Sequence, residues 1–96
     1  MAKTRLERHA EICKELHDLY ERKNHNYGDS FHITFLEEGM AMPRIRLSDK
    51  LNRFKSLSRP KDNIIHMVGD ESIRDTLIDL ANYAILTILE LEVYDE

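Results

Sequence analysis

The stretch from Thr76 to Leu89 constrains this chain most, because its only strongly polar side chains are Asp79 and Asn82. A helix with that pattern is apolar on nearly every face and must be covered on most sides. It is too short, and carries an acid too near its middle, to span a bilayer, which needs about 20 apolar residues. Burial between helices remains, part of it supplied by a second copy of the chain. The total of 96 residues agrees, since a chain of that length builds one thin core and gains from shared burial. The expectation is a single all-α domain over residues 1–96, a bundle of about four helices completed as a homo-oligomer, dimer or higher.

Four segments supply those helices. From Thr4 to about Asn24, Leu6, Ala10, Cys13, Leu16 or His17, and Tyr20 recur at three- and four-residue steps, an amphipathic pattern in which Cys13 reads as core. Thr4 and Glu7 have the spacing of a capping box. His25 to Ser30 reads as a loop. Phe31 to Glu38 then forms a short helix with Phe31, Phe35 and Leu36 inward, stopped by Gly39. Pro43 suits the first turn of a third helix, which presents Ile45, Leu47, Leu51, Phe54 and Leu57 up to Ser58. Arg59 to Gly69 is a loop in which Ile64–Val68 could add a brief strand or pack over a helix end. Asp70 caps the last helix, which runs to about Val93, with Glu71 favourably placed in its first turn.

Charge narrows the partners. The net charge is −4, with 14 Lys and Arg against 18 Asp and Glu and no long basic run, so duplex nucleic acid is not an expected partner. A lone Cys13 and a charged N-terminal segment point to a reducing cytoplasm, and no membrane contact is expected.

An ionised Asp79 inside so apolar a helix costs several kcal/mol unless something pairs with it. Glu71, Asp75, Asp79 and Asn82 step along the helix at i, i+4, i+8 and i+11, and like charges on one ridge call for cations. Oxygen ligands of this type suit Mg2+ or Mn2+. On the third helix Arg46, Asp49, Lys50 and Arg53 make a second polar ridge, where Asp49 could complete a metal site and Lys50 and Arg53 hold phosphate oxygens. The alternatives are solvated faces with internal ion pairs, and for Asp79 a salt bridge to an arginine of the third helix. A further ridge of Glu7, Glu11, Glu15 and Asp18 reads mainly as solvated, Glu15 and Asp18 being its better site candidates. His9, Cys13 and His17 make a poor zinc set, because ligands eight residues apart lie about 12 Å apart along a helix. His25, His32 and His66 have no partner motif.

Three blocks carry a family resemblance: Lys23 to Phe31, reading KNHNYGDSF; Ile45 to Arg53, reading IRLSDKLNR; and Asp70 to Ile85, reading DESIRDTLIDLANYAI. In this order they resemble the nucleotide modification associated domain family, first type, common in phages and similar to the MazG-like all-α nucleoside triphosphate pyrophosphohydrolases. The resemblance covers about residues 8 to 90. It implies an oligomeric helical bundle in which acids from two helices hold Mg2+ against the phosphates of a free nucleotide. Carried over by position, Asp79 resembles the aspartate that ends a Glu-x-x-Asp motif. Asp75 stands four residues before it rather than three. Asp49 stands where the first acidic pair would lie, but Arg46 occupies its partner position, and Asn26 precedes Tyr27 and Gly28 where Asp-Tyr-Gly is expected.

Two readings follow from the resemblance. In the first, a Mg2+-dependent (or Mn2+-dependent) enzyme cleaves a nucleoside triphosphate between its α and β phosphates. Asp49 and Asp79 are then catalytic, Asp49, Asp75, Asp79 and Glu71 hold metal, and Lys23, Tyr27, Arg46, Lys50, Arg53 and Asn82 bind the nucleotide, Tyr27 by stacking. In the second, the same pocket captures a modified or cyclic nucleotide without turning it over, as a phage protein countering defence in an infected host cell would. A small helical interaction domain without a ligand is the third possibility.

Overall fold

The computed structural model describes residues 2–27, 29–59 and 71–93. They form four helices: α1 (Arg5–Tyr27), α2 (Ser30–Glu38), α3 (Ala41–Leu57) and α4 (Glu71–Val93). Among the described residues there is no strand, so the chain is all-α. No described helix is long and apolar enough to cross a membrane. Ile64–Val68 and Asp70 lie outside the described residues. Two compact units divide the chain, Met1–Ser30 and Phe31–Glu96.

The first unit is α1. The Glu7 backbone N–H donates to Thr4 Oγ1 at 3.0 Å, and the Thr4 hydroxyl donates to Glu7 Oε1 at 3.1 Å, so the start of the helix is capped as its sequence suggests. The helix runs on to Tyr27, three residues past the expected end. Its half-buried stripe is Ile12, Leu16, Leu19 and Tyr20, whereas Leu6, Ala10, Cys13 and His17 are exposed. The expected core role of Cys13 is therefore corrected: Leu16 and Tyr20 keep their expected side, and Ile12 and Leu19 rather than Cys13 join them.

The second unit holds α2, α3 and α4. Gly39 ends α2 in the left-handed region, φ 66°, and donates its N–H to the Phe35 carbonyl at 2.7 Å. Phe35 is buried and Phe31 half-buried, but Leu36 is exposed rather than inward. α3 starts at Ala41, two residues before Pro43, whose missing N–H falls in the first turn where no intrahelical partner exists. Pro43 is fully buried, with Met42 beside it.

α3 packs on α4. Its inner side is Leu47, Lys50, Phe54 and Leu57, all half-buried; Ile45 and Leu51 are exposed, against expectation. Ile45 lies two residues from Leu47, about 200° away, and one stripe cannot hold both. The buried side of α4 carries Ile73, Thr76, Thr87 and Glu90. Thr76 and Thr87 satisfy their hydroxyls by donating to the Ser72 and Tyr83 carbonyls, each at 2.7 Å, so they are buried without an orphaned group. Leu77, Ile85, Ile88, Leu89 and Leu91 are exposed.

Candidate functional site

Polar and aromatic groups meet where α2, α3 and α4 come together. Lys50 Nζ on α3 lies 2.9 Å from Asp79 Oδ2 on α4, with 28% and 33% of the two side chains exposed. Asp79 thus meets a cation from the third helix, a lysine rather than the arginine considered from sequence. One turn earlier on α3, the Arg46 guanidinium carbon sits 5.8 Å from the centre of the Tyr83 ring, one turn further along α4 than Asp79. Tyr83 in turn stacks on Phe31 of α2, ring centres 6.1 Å apart and planes inclined by 23°. The i, i+4 spacing in both helices does this: Arg46 and Lys50 project as a pair, as do Asp79 and Tyr83.

The result is a platform of two aromatic rings edged by two cations and one carboxylate. Arg46 is exposed and Tyr83 half-buried, so part of the platform is open to solvent. A guanidinium and an ammonium one turn apart can take phosphate oxygens, Arg through its planar fork and Lys as a point charge. The aromatic faces can take a base by stacking.

The acidic residues behave differently. Asp79 is half-buried, but Asp75 and Glu71 are exposed, because each four-residue step along a helix of 3.6 residues per turn rotates about 40° away from the seam. Asp49 is exposed on α3, where with Ala41, Arg44, Ile45 and Ser48 it lines an open hollow of about 400 Å³. Among the described residues no three His, Cys, Asp or Glu side chains gather closely enough to hold a metal ion. The acids of one chain therefore do not fit the Mg2+ or Mn2+ cage expected of Asp49, Asp75, Asp79 and Glu71.

Other sequence candidates fall as follows. Arg53 is exposed on α3 and Asn82 half-buried on α4. Lys23, Glu15 and Asp18 belong to the first unit, and the side chains of Asn26 and Tyr27, with Gly28, lie outside the described residues. On α1 the acids are engaged locally: Glu11 with Lys3 and Arg8, each at 2.8 Å, and Asp18 with Lys14 at 2.7 Å. The hydrogen bond from Lys3 holds the Glu11 carboxyl below its usual range, and that from Lys14 does the same for Asp18 and raises Lys14 in return.

Two contacts were missed from sequence. Phe31 reads as core and Tyr83 is given no role of its own in the last helix, and only their convergence with Arg46 gives them another use. Glu90, 6% exposed, accepts a hydrogen bond from His32 Nδ1 at 2.7 Å, an assignment that puts the ring proton on Nδ1. The signal was available, since Glu90 is an acid at the end of the same apolar run that drew attention to Asp79.

No curated protein and no solved structure matches the chain. A family model described as Nucleotide modification associated domain 1 matches residues 23–91, a span that contains every contact of the second unit described above. The match covers well over half of the sequence, and the chain belongs to the Nucleotide modification associated domain 1 family.

Proposed function

We propose that the second unit binds a free nucleotide, with its phosphates against Arg46 and Lys50 and its base on the Phe31–Tyr83 rings. The observation that carries this reading is the Arg46 guanidinium over the Tyr83 ring with Lys50 one turn away, a pairing of cation and aromatic that suits a phosphate joined to a base. Asn82, beside Tyr83 on α4, supplies a donor and an acceptor for a base edge. The family description, which concerns nucleotide modification, supports a nucleotide as the ligand class. Capture is favoured over turnover because the acid best placed for chemistry, Asp79, is already neutralised by Lys50.

A second reading is hydrolysis, in which water attacks the α-phosphorus of a nucleoside triphosphate, the α–β bridging bond breaks, and a monophosphate and pyrophosphate leave. The one-third exposure of the Asp79 carboxylate supports it, because water and an exchangeable cation can reach that group.

The test is incubation of the protein with Mg2+ and a mixture of canonical, modified and cyclic nucleotides, followed by mass spectrometry of the free and heat-released pools. A nucleotide that leaves solution and returns unchanged on denaturation supports capture. Conversion of a triphosphate to monophosphate and pyrophosphate supports hydrolysis. No retention and no conversion overturns both. Under either reading Tyr83→Ala weakens binding by roughly tenfold or more, the size of one base–aromatic stack.

A further inference from the structure

With nine residues, α2 is too short to hold itself as a helix, so what it touches decides where it sits. Two of its consecutive side chains reach α4. Phe31 stacks on Tyr83, ring centres 6.1 Å apart, and His32 Nδ1 donates to Glu90 Oε2 at 2.7 Å. Neighbours in a helix project about 100° apart, so these two side chains straddle the side of α2 that meets α4. On α4 the receiving residues are seven positions apart, within about 20° of one face and about 10.5 Å along the axis. Thr87 stands between them, its hydroxyl donated to the Tyr83 carbonyl. Two anchors so separated fix the rotation of α2 about its own axis as well as its place.

The anchors are unequal. A ring stack tolerates sliding and tilting over a range of centre distances of about 4.5–7 Å, and this one lies towards the long end. The bond to Glu90 is short and directional, and its carboxylate is buried, so losing the imidazole leaves that carboxylate short of a donor. Such a loss costs more than sliding one ring over another. The bond therefore sets the turn of α2, and the Phe31 ring follows, one residue away.

We infer that His32 and Glu90 are positioning residues of the aromatic platform: their bond holds α2 in the rotation that lays the Phe31 ring on Tyr83. The pair acts through the ring and not on the ligand. What the platform binds rests on the nucleotide reading; that the pair holds the ring does not.

Tyrosine ring proton shifts in the ligand-free protein test the positioning, with Tyr83 assigned by Tyr83→Phe and the unstacked limit set by Phe31→Leu. Isothermal titration with the nucleotide identified by mass spectrometry tests its consequence. The double variant His32→Leu/Glu90→Leu exchanges the bond for an apolar contact, which a pair that merely stabilises survives with little loss. Positioning predicts a protein still helical by circular dichroism, with its Tyr83 shift moved at least about halfway to the Phe31→Leu limit. Its affinity should fall about threefold or more, part of the loss expected for one base stack. His32→Asn puts an amide N–H near the place of Nδ1 and should keep both shift and affinity close to wild type. Should the double variant fail to fold, His32→Gln replaces it, because its amide nitrogen falls where Nε2 lies and keeps polarity without the bond. An unchanged Tyr83 shift in the variant lacking the bond overturns the inference. So does a lost shift with unchanged affinity, or a His32→Asn protein that behaves like that variant. If the wild-type protein binds no nucleotide, the nucleotide reading fails, and the Tyr83 shift still decides whether the pair holds the ring.

Discussion

Replacing His32 by alanine should cost the second unit about 2 kcal/mol, a figure that follows from the burial of its partner. Only 8% of the Glu90 side chain is exposed, and its Oε2 accepts from His32 Nδ1 at 2.7 Å. Removing one member of a fully buried charged pair costs about 3–5 kcal/mol, because the remaining charge stays desolvated. The histidine end of this contact is 31% exposed, so water can partly replace the ring, and the expected cost drops to about 1–3 kcal/mol. In a chain of this size that is roughly 8–16 °C in Tm for the central value. Glu90→Gln keeps an acceptor for the ring and should cost less than about 1 kcal/mol. Urea unfolding followed by circular dichroism measures each value, and a cycle with His32→Leu/Glu90→Leu separates the pair from lost packing. That double variant should be less destabilised than the sum of its singles by about 1–2 kcal/mol. A His32→Ala protein within about 0.5 kcal/mol of wild type, or a strictly additive cycle, would refute the reasoning.

Other expectations follow from local geometry. Gly39→Ala meets no atom within 4 Å, so its cost is backbone strain at φ 66° alone, about 1 kcal/mol, and Gly39→Asn should cost less; thermal unfolding ranks the two. Thr4→Ala removes the acceptor of the Glu7 N–H and should lower the stability of the first turn of α1 by about 1 kcal/mol, read as faster amide exchange confined to that turn. Because Glu11 and Asp18 titrate below the ordinary carboxylate range, their contribution to α1 is complete above that range and is lost as pH falls through their lowered values. Lys14 works in the opposite sense, its contribution being complete below the ordinary lysine value and lost as pH rises through its raised one. Backbone amide shifts of α1 followed across pH should show both limbs, and a flat acid limb would count against the ion pairs.

The helices were legible in the sequence where local chemistry decides them. The Thr4–Glu7 cap, the Gly39 stop and Pro43 in a first turn all appear where their backbone requirements put them. Which stripe of each helix faces inward was less legible. Ile45, Leu51, Leu36 and Cys13 are as apolar as their neighbours, and periodicity alone permits a stripe to be turned by one residue. The site shows the same division. That Asp79 must have a partner could be argued from its surroundings, but that the partner is Lys50 depends on the pairing of α3 with α4. The acidic ridge does not stay on one side, since steps of four drift around a helix and leave Glu71 and Asp75 exposed while Asp79 is half-buried. Tyr83 and Phe31 carried no signal, as aromatics at helical spacing usually mean core.

Asp79 in the apolar run of α4 and Glu90 just past its end both lie against nitrogen, Asp79 against Lys50 and Glu90 against His32, so for Asp79 a cation comes from the chain itself. This has a consequence for ligand binding. If nucleotide phosphates are taken by Arg46 and Lys50, the Asp79 carboxylate competes with them for the same ammonium, and its charge also repels the incoming anion. Asp79→Asn then removes both penalties. An ion pair with both side chains about one-third exposed is worth about 0.2–1 kcal/mol, so the variant should bind its nucleotide up to about fivefold more tightly. Under hydrolysis the opposite holds, because Asp79 is then an acid the reaction needs, and Asp79→Asn loses turnover. Isothermal titration with the nucleotide identified by mass spectrometry separates the two. Tighter binding with nothing converted supports capture with Lys50 as the phosphate ligand. Weaker binding would show that Asp79 itself contacts the nucleotide or its counter-ion, and would remove Lys50–Asp79 competition from the account.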